Sequence, residues 1–241
     1  MSPSALHYFP LALPFLLLLA GLLAATVAAV AIKILRFASS SMGVGPWTML
    51  AVLLLSLFGS YVNIPIATLP EREILSVAHV TYFGVRYVIP VVREWPSTML
   101  AINVGGAIIP ILLSVYLVAK TRLFGLSAVG IAVVATACHL VAHPIPGLGI
   151  AEPVVVPPLV TAIVALLLSR HHAAALAYIS GSLGTLIGAD LLNLGKVQGL
   201  GAPIVSIGGA GTFDGIFVTG LLAVLYASLA THGRESATAA S

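Results

Sequence analysis

The chain has 241 residues, of which 60% are hydrophobic and only 7% charged. A soluble globular protein carries about 25% charged residues, so too few charges are available for a water-facing surface and lipid must be the main solvent. The formal charge of +3 comes from scattered residues with no basic stripe, which argues against nucleic acid as a partner. The single cysteine, Cys138, excludes an intramolecular disulfide and a CxxC redox or metal motif. The expectation is a single membrane domain over 1–241, all-α and polytopic, embedded in membrane lipids and requiring no cofactor.

Crossing a bilayer as helix takes roughly 20 apolar residues. About seven stretches qualify: 8–32, 48–68, 98–119, 123–142, 154–169, 173–195 and 203–230. The first lacks a preceding Lys or Arg and exceeds a usual signal-peptide core, so it reads as a retained span. Lys33, Arg36, Lys120, Arg122, Arg170 and Arg234 follow alternate spans and fall on one side, with Glu235. The opposite side carries Arg72, Arg86, Arg93 and Lys196 with Glu71, Glu73, Glu94 and Glu152. The positive-inside rule then puts the N-terminus outside and the C-terminus in the cytoplasm.

The connection 69–97 lies on the outer side. Its β-branched and aromatic run Val80–Pro90, broken by Gly84, reads as a short β-hairpin. The glycine-rich stretch 199–212 is poor helix, so a broken or re-entrant segment is expected at the start of the last span.

Ionisable groups inside a membrane are costly and mark function by default. Asp190 lies in the sixth span and Asp214 in the seventh. If regular helix begins near Thr212, Asp214 falls in its first turn at a depth similar to Asp190. Asn63, Asn103, His139, His143, Glu152 and Asn193 map to the same outer end. Two carboxylates sharing a site cannot both ionise cheaply, and such a pair can act as acid and base on one water. The expected catalytic pair is Asp190 and Asp214, supported by Asn63, Asn103, Asn193, Gly209, Gly211 and Thr212.

His139 and His143 stand four apart, a spacing that puts them on one helix face. With Glu152 they form a weak metal candidate, since HExxH is absent and Pro144 ends the helix. Gly184 and Gly188 form a GxxxG pair that lets helices touch.

Five stretches carry a resemblance: Asn63-Ile64-Pro65, Ala101 to Pro110, Pro146 to Ile150, Gly184 to Leu194 and Ser206 to Phe217. Together they resemble an uncharacterised family of bacterial and archaeal membrane proteins, which implies a prokaryotic cell membrane. A looser similarity is to the presenilin and signal-peptide-peptidase aspartyl proteases. Those place one Asp in their sixth span and a Gly-x-Gly-Asp motif in their seventh. Here Ala189 precedes Asp190, Phe213 precedes Asp214, and a late Pro-Ala-Leu motif is missing. This resemblance implies an intramembrane aspartyl-type hydrolase acting on a membrane peptide. The alternatives are a small transporter or ion- or proton-coupled permease using the same acids, and a non-catalytic scaffold.

Overall fold

The computed structural model describes residues 9–70, 72–82, 85–95, 97–145, 149–197, 202–209, 219–220 and 222–227. Helix α1, Phe9–Ser41, is 33 residues long. Among its described side chains Ala38 and Ser39, at the C-terminal end, are buried, as is Met42 just beyond it, while Leu16, Leu17, Leu18, Leu22 and Leu23 stay exposed. Helix α2, Pro46–Gly59, starts with Pro46, whose missing N–H costs nothing in a first turn. Strand β1 is Asn63–Leu69, β2 Arg72–Tyr82, β3 Val85–Trp95 and β4 Thr98–Asn103. A widened π turn, Val104–Ile108, leads into α3, Ile109–Thr121. Helix α4, Phe124–Val141, is followed by the short strands β5, His143–Ile145, and β6, Gly149–Ala151. Helix α5 is Val156–Leu168 and α6 Ala173–Thr185. The path of α6 continues through a second π turn, Leu186–Asp190, a 3-10 turn, Leu191–Asn193, and the short α7, Leu194–Val197. Strand β7 is Ile204–Ile207.

Among the described residues three helical segments are long and apolar enough to cross a membrane: Val104–Thr121, Phe124–Val141 and Ala173–Val197. Pro46–Gly59 and Val156–Leu168 are apolar but shorter, about 20 Å each at 1.5 Å per residue. The outward residues of these helices are apolar: Leu112, Val115, Val129, Leu140 and, 81% exposed, Leu167. Water-facing surfaces rarely carry apolar patches on that scale, so length, composition and exposure together mark a membrane protein.

The core is built around α6. Ala173, Ala174, Leu176, Ala177, Tyr178 and Ile179 are all buried, and α3, α4 and α5 pack against this helix. Small residues let the backbones close in. A Cβ added at Gly184 would stand 2.7 Å from Val134, and one at Gly188 would strike the backbone carbonyl of Ala135. The expected GxxxG contact is therefore the α4–α6 interface.

The fold is mostly helical rather than all-α. Strands β1, β4 and β7 form a three-stranded sheet, β1 antiparallel and β7 parallel to β4. The apolar stretches 48–68, 98–119 and 203–230 thus each combine strand with other structure. Hydropathy marks a run as apolar but does not separate strand from helix; the β-branched runs Val62-Asn63-Ile64 and Ile204-Val205-Ser206-Ile207 decide it locally. The expected broken segment at 199–212 contains β7, followed by Gly208 and Gly209, both at φ +92. The hairpin expected within 69–97 is larger than a short one, with two eleven-residue strands.

Candidate functional site

One face of the sheet packs on the helices, with Leu100, Ile102 and Ile207 against Leu186 and Leu194. The polar side chains gather beside it. Asn63 and Asn103 face each other across β1 and β4. Asn103 is fully buried; its Nδ2 donates to the Ser60 carbonyl at 2.7 Å and to Asn63 Oδ1 at 3.0 Å. Its Oδ1 accepts from the Gly106 N–H at 2.8 Å, capping the first π turn. Ser206 on β7 donates to Asn63 Oδ1 at 2.6 Å, so one amide links all three strands.

Asp190 closes the second π turn. Such turns are rare and frequent at functional sites. Carbonyls loosened by this turn are taken up by Asn193, whose Nδ2 donates to Gly188 and Ala189, both at 2.9 Å. Lys196 Nζ donates to Asn193 Oδ1 at 2.8 Å. Asn193 is therefore bonded to its own helix, and it braces the turn that presents Asp190. The Asp190 Oδ2 accepts from the Gly208 N–H at 2.7 Å. Gly208 has to be glycine, because its φ is positive and a Cβ would stand 2.7 Å from the Ala107 nitrogen.

Asp190 and Gly209 line a cavity of about 100 Å³ with Gly149, Ile150, Leu194, Val197 and the whole of β7. At ~30 Å³ per water this holds a few water molecules. The β5–β6 hairpin, with Gly149 at φ +114, brings Glu152 back over the end of α4. Burial and the charge of Asp190 push the Glu152 carboxyl from an ordinary 4.5 up to about 7, against a lowering contact from the Cys138 thiol. Glu152 Oε2 is buried with no hydrogen-bond partner. Cys138 Sγ stands 3.6 Å from Thr185 Oγ1.

A carboxyl whose folded pKa exceeds its unfolded value costs stability once it must ionise. Below about 4.5 both states hold the proton and no cost arises. Between 4.5 and 7 only the unfolded chain ionises, so stability falls as pH rises, by up to ~3 kcal/mol. The melting temperature in detergent is expected to drop between pH 5 and pH 7, and Glu152→Gln is expected to flatten that slope.

A family model for proteins of unknown function, DUF1614, matches residues 57–226. The chain belongs to the DUF1614 family. No curated protein and no solved structure matches it. The DUF1614 match begins near the end of α2 and takes in the sheet, both π turns, Glu152, Asp190 and Asp214, leaving α1 outside.

Of the residues singled out in the sequence, Asn63, Asn103, Asn193, Asp190 and Gly209 lie at one end of this DUF1614 bundle. Asp214, Gly211 and Thr212 lie outside the described residues. The histidines do not share a helix face: α4 ends at Val141, Ala142 is extended, and His143 begins β5. Pro144 enforces that break. His139 Nδ1 is buried without a hydrogen-bond partner. Among the described residues no three His, Cys, Asp or Glu side chains are grouped to hold a metal. Sequence reasoning placed Glu152 at the same outer end but did not pair it with Asp190, whose charge acts on it; the pairing of β5 with β6 just before Glu152 is what positions it.

Proposed function

We propose that the chain is an intramembrane aspartyl-type hydrolase, peptidase-like, working through Asp190 and Asp214 at the outer face of a prokaryotic cell membrane. In this reading the chain crosses the membrane seven times with its N-terminus outside. The observation that carries it is the Gly208 N–H bond to Asp190. It ties the turn bearing one acid to the glycine-rich segment that leads to the other, six residues on. Six residues reach at most ~20 Å.

The chemistry needs no cofactor. One carboxylate takes a proton from a water in the cavity, and the water oxygen bonds to the amide carbon. The other acid gives its proton to the carbonyl oxygen. Collapse of that adduct breaks the C–N bond, the nitrogen leaves with a proton, and a carboxyl and an amine remain. Strand β7 lies at the edge of the sheet and lines the cavity. An extended peptide could add there as a further strand, its backbone held beside Asp190. The test is cleavage of a membrane-spanning peptide library by the purified chain in vesicles, with Asp190→Asn and Asp214→Asn alongside. If all three behave alike, the hydrolase reading fails.

A second reading draws on Glu152. An acid near pKa 7 beside Asp190 would exchange a proton at neutral pH, which suits a proton-coupled permease. It predicts that Glu152→Gln abolishes proton uptake into vesicles while no peptide is cut. A chain that neither cuts nor carries would be a scaffold.

A further inference from the structure

Strands β2 and β3 continue the β1–β4 ladder in phase. Leu69 faces Thr98, and three residues further on Arg72 faces Trp95. Beyond β7, which flanks β4 only from Met99 to Ile102, the ribbon runs on as two strands. Eleven residues at about 3.4 Å give an arm of ~37 Å. Among the described residues no other element packs extensively on it. A two-stranded ribbon by itself is marginal in water.

The two edges of the arm differ. A proline in a ladder must sit where its nitrogen points away from the partner strand. Pro90 faces Val77, so the alternation fixes the rest. On β3 the outward backbone positions are Arg86, Val88, Pro90, Val92 and Glu94. Proline interrupts that edge at its middle, and charges close both ends, which are known guards against strand addition. On β2 the outward positions are Glu73, Leu75, Val77, His79 and Thr81, with every N–H present. Among the described residues no strand pairs with the outer edge of β2.

We propose that β2 pairs antiparallel with β2 of a second copy of this chain, forming a four-stranded sheet across a twofold axis. The register that fits is centred on Ser76. It sets Glu73 opposite His79 of the other copy, and by symmetry this carboxylate–imidazole pair occurs twice. A register centred on Glu73 itself would oppose like carboxylates. Ser76 then meets its own copy at a non-hydrogen-bonded position, where Cα atoms stand about 4.5 Å apart, within disulfide reach.

The test uses the full chain in lipid vesicles with Cys138 replaced by Ala. Under mild oxidation Ser76→Cys is expected to give at least ~10-fold more disulfide-linked dimer than Val91→Cys, its neighbour on the guarded strand. Val77→Pro removes an outward N–H without touching the β2–β3 ladder. It is expected to raise the dimer dissociation constant at least ~10-fold, while Val92→Pro on β3 changes it less than ~2-fold. The same comparison in arms stapled by Thr81→Cys/Arg86→Cys separates lost pairing from an unfolded arm. A chain that stays monomeric, a Val91→Cys yield matching Ser76→Cys, or equal effects of the two prolines in stapled arms would overturn the proposal. An arm labelled only by lipid or by other proteins would do the same.

Discussion

Asp190→Asn and Asp214→Asn are each expected to abolish peptide cleavage, lowering the rate at least ~100-fold while leaving the chain folded in detergent. An amide keeps the size of the carboxyl but neither takes a proton from water nor gives one to a carbonyl. Asparagine at 190 would still accept the Gly208 N–H through its oxygen, so the turn holds and the loss reads as chemistry. The two variants should be equally dead, because groups that act as a unit are not additive. Glu152→Gln should do less, since Glu152 feels the charge of Asp190 and in this account does not touch the substrate. The measurement is single-turnover cleavage in vesicles, with thermal melting as the check on folding.

Gly188→Ala is expected to be among the most damaging single methyl groups in the helical core, with Gly105→Ala, whose added Cβ would strike the Ser56 carbonyl. The Cβ added at Gly188 would strike the Ala135 carbonyl and carbon, which are backbone and part of α4. A side chain can rotate away; a packed helix must shift as a body. Overpacking of this kind costs about 1–3 kcal/mol and sometimes more. The shift also moves Asp190, two residues along the same π turn. Stability and activity should therefore fall together. Gly195→Ala is the control, because nothing lies within 4 Å of its added Cβ. Melting in detergent should separate the two variants clearly.

The sequence made the membrane character legible, because apolar runs and scarce charge admit one solvent. It also made the α4–α6 contact legible, through Gly184 and Gly188. What it concealed was the sheet. Ile64, Ile102 and Ile207 count as apolar whether they line a helix or a strand, and only the β-branched neighbours hinted at the answer. The polar site was legible in part for the same reason. Asn63, Asn103 and Asp190 stood out as costly residues in apolar runs. Glu152 sat in a loop, where a carboxylate is cheap, and its approach to Asp190 depends on a tertiary fold-back at Gly149. Gly208 offered only a backbone N–H, which no side-chain pattern announces. The histidine pair was only a weak metal candidate because Pro144 follows it, and α4 in fact ends at Val141, two residues before His143.

The central claim is that the Asp214 carboxyl reaches the Asp190 turn held by Gly208. Paired cysteines at 190 and 214, in a chain with Cys138 replaced by Ala, test it directly. Bridging by oxidation or by the shortest bifunctional thiol reagent requires Cβ atoms only a few ångströms apart. Efficient bridging in vesicles, from reagents added outside, is the predicted result. Thiols that each react singly but never join would place the two acids in separate environments and contradict the account.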